Sequence, residues 1–232
     1  MTASRTSKHL PPRELSQQNH RRLIGWLGLC LPFLLYVIAG LRPETGLERW
    51  TLLGSVSEYY YTGATGIFVG VLFALALFLI TYPGYEGAIA DRLLGIIAGC
   101  AALGVALFPT AAPEPLVEPA WWNPTIRIIH YVSAITLFVS FIAFSIWLFR
   151  KSDIPKRRDR PPEKRHRDDV CLACGIVMTI CVLWAASAVV THWPIFWPEA
   201  IAIGAFAVSW LTKGEAWVPI VEALPAGKGD GR

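Results

Sequence analysis

Charge is what this sequence has least of: 16% of its 232 residues are Asp, Glu, Lys or Arg, against about 25% in an ordinary soluble domain. With 54% of residues drawn from AVILMFWYC and a mean hydropathy of +0.45, a water-soluble, disordered or collagen-like chain is excluded. The five cysteines form no extracellular-looking cluster, which excludes a disulfide scaffold. Strand-like alternation is absent, and with it a β-barrel. There is no Walker lysine loop, dinucleotide glycine pattern, His-Glu-x-x-His or Gly-x-Ser-x-Gly. Internal repeats are not evident, which weakens an inverted-repeat transporter.

What is present is a series of uncharged apolar runs of the length that crosses a bilayer core about 30 Å thick. Six are expected to be spans, at 23–41, 63–82, 93–110, 128–149, 170–190 and 193–211. The fold class is therefore all-α, a polytopic transmembrane helical bundle over 23–211. It is flanked by a disordered basic cytoplasmic tail at 1–22 and a second cytoplasmic tail at 212–232. Trp and Tyr residues gather at the span ends, as an aromatic belt at the headgroup level does.

Orientation follows from the basic residues. With six spans, 18 of the 21 Lys and Arg fall on one side, nine of them in the loop from Arg150 to Arg167. The positive-inside rule puts that side, with both termini, in the cytoplasm of a bacterial inner (plasma) membrane. The first span is expected to be retained. It is longer than the 7 to 15 apolar residues of a signal peptide, although Val37-Ile38-Ala39 loosely resembles a cleavage pattern. The basic loop interleaves acids and lacks aromatic partners, so it reads as a topology determinant that meets membrane lipids, with no nucleic-acid partner.

Two small motifs concern packing. Gly66-x-x-x-Gly70 and Gly95-x-x-x-Gly99 predict close approach of the second and third spans. Cys171-x-x-Cys174 has no second ligand pair, so it and Cys181, Cys30 and Cys100 are expected to act as small packing residues.

The chemistry-bearing residues concentrate at the outward ends. Glu199 stands two helical turns after His192 in the sixth span, and an intramembrane acid demands an interior position and a partner. Arg127, His130 and Ser133 repeat along one face of the fourth span. Ser57, Glu58, Tyr59, Tyr60 and Tyr61 precede the second. Together these form a candidate extracytoplasmic polar pocket, with Glu58 and the tyrosines as rim and His130 and Glu199 as floor. Three readings compete: a polar network that fixes packing, a site for a lipid headgroup or small polar ligand, and a metal-dependent hydrolase. No cofactor is expected; in the last reading zinc would use His130, His192 and Glu199 or Glu58.

The strings SVSEYYYTG (55–63), IFVG (67–70), Tyr82-x-Gly84-Tyr85, VALFP (105–109), IHYVS (129–133) and SWLTKG (209–214) together resemble uncharacterised bacterial six-span membrane proteins carrying a domain of unknown function. These are distant relatives of the eukaryotic Frag, DRAM and Sfk group. The resemblance covers residues 50–215 and implies lipid handling or membrane regulation rather than catalysis. A weaker similarity, to the alkaline ceramidase and progestin-receptor superfamily, implies a Ser, Asp and three-His metal site. This chain offers Ser57, His130 and His192 but lacks a seventh span and a paired-histidine helix motif. The leading expectation is a non-enzymatic protein that binds a lipid headgroup or small polar ligand, or scaffolds a membrane-protein partner. An intramembrane lipid ester or amide hydrolase and a small-solute transporter are the alternatives.

Overall fold

A computed structural model describes residues 12–84, 89–152, 154 and 156–216. Within them the chain is all-helical: α1 Pro12–Leu41, α2 Thr65–Ile80, α3 Ile89–Leu107, α4 Pro124–Ile146, α5 Pro162–Thr191 and α6 Phe196–Lys213, with short 3-10 turns at Ser57–Tyr61, Leu148–Arg150 and Arg157–Asp159. Successive helices pack side by side, and α6 closes the circle by packing on α1, with an additional contact to α4.

The helices alternate in direction. At one end Arg22 near the start of α1 donates to the Gly214 carbonyl just past α6 (2.8 Å), and Lys151 after α4 meets Asp91 at the start of α3 (2.8 Å). At the other end the Ile195 and Phe196 amides at the start of α6 donate to the Gly54 carbonyl in the α1–α2 connection (2.6 and 2.8 Å). Both described termini therefore lie at the same end.

Among the described residues, four stretches are long and apolar enough to cross a membrane: Leu15–Leu41, Ile89–Leu107, Pro124–Arg150 and Pro162–Ala188. Large apolar side chains also face outward on the helices. On α4, Ile128, Val132 and Ile135 are each 59% exposed along one stripe, while His130, Leu137, Phe141 and Phe144 form the buried stripe. A helix apolar on both faces belongs in lipid rather than water. The remaining two helices are less regular candidates. α2 has 16 residues, about 24 Å of helix, and α6 carries Pro198, Glu199 and Lys213. Polar groups in α6 sit on a helix packed among α1, α4 and α5, with Ser209 and Trp210 fully buried.

Helix ends have local causes. The Asn123 side chain caps α4 by accepting the Thr125 amide (3.0 Å), with Pro124 in the first turn, where a missing N–H costs nothing. α5 stops at His192, whose left-handed backbone (φ 55°) turns the chain. Residues 12–22, expected in a disordered tail, instead extend α1. Tertiary bonds order them: His20 bonds the Phe78 carbonyl (2.6 Å) and Arg21 donates to the Tyr82 hydroxyl (3.3 Å). α5 likewise starts at Pro162, inside the expected basic loop. Residues 1–11, Tyr85 and the Gly-rich end beyond 216 lie outside the described residues.

The glycine motifs divide. A Cβ at Gly95 would lie 2.6 Å from the Leu79 carbonyl oxygen and one at Gly99 2.7 Å from that of Ala76, so α3 rests directly on the α2 backbone. Gly66 and Gly70 face outward with nothing within 4 Å. This corrects the expectation that both motifs form the seam. Cys171, Cys174 and Cys181 are buried on the inner face of α5, whereas Cys30 and Cys100 are exposed rather than packed in the bundle.

Candidate functional site

The segment between α1 and α2 folds over one end of the bundle as a plug. Leu53, Val56, Tyr59 and Ala64 anchor it in the core, and its backbone is tied to the start of α6 in both directions. The Gly54 carbonyl takes two of the amides that a helix N-terminus leaves without intrahelical acceptors. In return, Glu199 in the first turn of α6 accepts the Val56 amide at 2.7 Å. A carboxylate there is also favoured by the helix dipole. The partner that a buried acid requires is thus a backbone N–H of the plug.

One residue further along, Ser57 Oγ lies 3.1 Å from His130 Nε2, and His130 Nδ1 lies 2.7 Å from the Phe108 carbonyl oxygen. A carbonyl only accepts, so Nδ1 carries the proton and Nε2 presents its lone pair to the Ser57 hydroxyl. His130 is 2% and Ser57 9% exposed. The α1–α2 plug, the end of α3 and the start of α4 therefore meet through a single chain of hydrogen bonds.

The other residues named for the pocket fall elsewhere. Glu58 turns back into its own loop, accepting the Gly54 amide (2.7 Å), while the Glu58 amide donates to Ser55 Oγ (3.2 Å). Burial pushes its carboxyl above the ordinary value, opposed by hydrogen bonds to the carboxyl from Gly54 and Ser55. The tyrosines are not a rim. Tyr59 is fully buried against Phe196, with ring centroids 6.0 Å apart, and Tyr60 packs on Phe68. Tyr61 donates to the Thr110 carbonyl (2.5 Å), which also takes the Trp122 indole N–H (3.1 Å). Burial first, then Glu118 nearby, pushes the Tyr61 phenol up to about 12.

Arg127 is exposed and Ser133 is half-buried against Gly104 of α3. His192 is exposed at the α5 cap, because the left-handed turn breaks the helical register that would have aligned it with Glu199. Among the described residues no three His, Cys, Asp or Glu side chains stand together as a metal-holding group. Both nitrogens of His130 are already engaged.

Beneath the plug lies a cleft of about 50 Å³ between α1, α2, α3, α4 and α6. Its walls are apolar, including Leu31, Leu72, Leu137 and Phe141, and among the described residues Ser57 and Glu199 are its only polar side chains. By the same measure a single water occupies about 10–15 Å³, so the space suits a short length of hydrocarbon next to two polar groups. α5 lies outside this ring.

The opposite end holds a second polar network that sequence reasoning missed. Asp168, 3% exposed, binds Arg160 (2.8 Å) and Lys164 (2.5 Å), and Asp91, 1% exposed, binds Lys151. Lys164 and Lys213 both donate to the Phe149 carbonyl (3.3 and 3.1 Å). Below them Trp210 is surrounded by Tyr82, Phe144 and Phe149, with centroids 4.9 to 5.2 Å away. The available signal was an acid within a turn or two of an apolar run on the basic side. No family model, no curated protein and no solved structure matches this chain.

Proposed function

We propose that this protein is a six-span inner-membrane protein, both termini cytoplasmic, that binds a membrane amphipath through the plugged end of the bundle. The hydrocarbon lies in the cleft and the headgroup, or its ester linkage, against Ser57 and Glu199. The observation that carries this reading is the pairing of an apolar cleft with two polar groups at one end only. Support also comes from the strings that carry the resemblance to uncharacterised six-span proteins. Ser57 belongs to SVSEYYYTG, Phe108 to VALFP and His130 to IHYVS, and His130 is hydrogen-bonded to both of the others. Distant strings that meet at one point are what a shared site would require. The reading needs membrane lipid as its partner and no metal.

The test is native mass spectrometry and lipid extraction on detergent-purified protein, comparing the wild type with Ala134→Phe, which fills the cleft from α4. The wild type is expected to retain about one lipid per chain and the variant none, with monodisperse elution and helical content unchanged. Equal retention by both proteins would overturn the reading. Elemental analysis of the same sample is expected to show no stoichiometric zinc.

A further inference from the structure

We infer that Ser57 and His130 form a nucleophile–base pair that transfers an acyl group from a lipid carboxylic ester to water. The inference rests on the amphipath-binding reading of the same cleft and adds a reaction to it.

Three observations carry it. The Ser57 Oγ to His130 Nε2 distance of 3.1 Å lies within the reach that defines an activated serine. The tautomer is set correctly: the Phe108 carbonyl holds the Nδ1 proton at 2.7 Å, leaving Nε2 as the basic nitrogen facing the hydroxyl. The third member is thus a backbone carbonyl instead of a carboxylate. It orients the ring as an aspartate does in hydrolase triads, without adding a charge. Ser57 also lines the apolar cleft beside Glu199, so an acyl chain lying there carries its ester carbonyl to the hydroxyl. The bland role of such a pair, fastening the plug to α4, would not require the serine to face a cavity.

The reaction balances without a further reagent. Ser57 Oγ attacks the ester carbonyl carbon, forming a C–O bond as its proton passes to His130 Nε2. The tetrahedral intermediate collapses, the bond to the alcohol oxygen breaks, and His130 Nε2 returns the proton to the departing alcohol. Water then attacks the acyl-serine with His130 again as base, releasing the carboxylic acid and restoring the hydroxyl. The Glu199 carboxylate holds the Val56 amide next to the nucleophile.

The experiment uses the full chain in detergent micelles, an alkyl fluorophosphonate probe and 4-nitrophenyl octanoate as ester. The probe is expected to give one adduct per chain, mapped to Ser57, with fluoride displaced. Ester turnover should disappear in Ser57→Ala. In His130→Gln labelling should slow by roughly 10²- to 10⁴-fold, the usual contribution of a general base. The Ser57→Cys variant, which keeps a side chain of similar size, is expected to be alkylated by octyl iodoacetamide faster at its introduced thiol than at Cys171, Cys174 or Cys181. That result keeps the test decisive if Ser57→Ala does not fold. Lipid retention is measured on every sample. Retained lipid with no Ser57 adduct and no ester turnover overturns the acyl-transfer inference alone, whatever the alkylation preference. A Ser57 adduct on protein that retains no lipid, with Ala134→Phe unimpaired in labelling, overturns the amphipath reading instead.

Discussion

The Glu199 carboxylate and the Val56 amide, 143 positions apart in the chain, are joined by a 2.7 Å hydrogen bond that locks the α1–α2 plug onto α6. Removing the carboxylate leaves that buried N–H without an acceptor, a loss of about 1–3 kcal/mol. Glu199→Ala is therefore expected to lower thermal stability in detergent by an amount in that range. Glu199→Gln keeps an amide oxygen as acceptor and is expected to lose much less. Equal losses would place the role of Glu199 in its charge instead of this bond.

The two glycine motifs are chemically alike and structurally opposite. Ala at Gly66 or Gly70 meets open space and is expected to leave stability unchanged or raise it by about 0.5–1 kcal/mol through helix propensity. Ala at Gly95 or Gly99 would press on the α2 backbone and is expected to destabilise by roughly 1–3 kcal/mol. Thermal melts of the four single variants read the contrast directly.

At the opposite end, Asp168 holds Arg160 and Lys164 while 3% exposed. Truncating one partner of a buried pair strands the charges it neutralised, at about 3–5 kcal/mol. Asp168→Ala is expected to cost about 3 kcal/mol, discounted little for solvent because the cations are themselves only 15% and 17% exposed. Asp168→Leu together with Arg160→Met and Lys164→Met should recover most of the loss, since an apolar replacement leaves no unpaired charge.

Glu58 supplies a pH dependence with a definite sign. Its folded-state carboxyl is raised above 4.5, chiefly by burial, so the fold binds its proton more tightly than the unfolded chain does. Its contribution to stability is fully present below 4.5 and is lost as pH rises through the raised value. The stability difference between wild type and Glu58→Gln should accordingly grow in favour of the variant across that window. Melts of both proteins from acid to neutral pH measure it, and parallel curves would contradict the assignment.

Much of the architecture was legible because the bilayer is a severe solvent. It forces backbone polar groups into helices and tolerates few charges. Composition and run length alone therefore indicated an all-helical membrane chain and placed helices near each apolar run. The run lengths say less about helix ends. α1 and α5 extend well past their apolar runs into charged sequence because His20, Arg21, Lys164 and Asp168 find hydrogen-bonding or ion-pair partners.

The site was legible only in part. Single residues with unusual chemistry in an apolar context, His130 and Glu199, stood out in the sequence. Their partners did not: Val56 N–H and the Phe108 carbonyl are backbone groups, and nearly every residue has such groups. Helical spacing aligned His192 with Glu199, but one left-handed residue at the end of α5 breaks that alignment. The tyrosine run looked like a rim, yet the 3-10 turn at 57–61 points Tyr59 into the core. The sequence by itself determined the solvent, the helical class and the residue types that are costly in that solvent. Only the tertiary structure decided which of them meet, because hydrogen bonds act over about 3 Å and depend on how the plug, α4 and α6 are brought together.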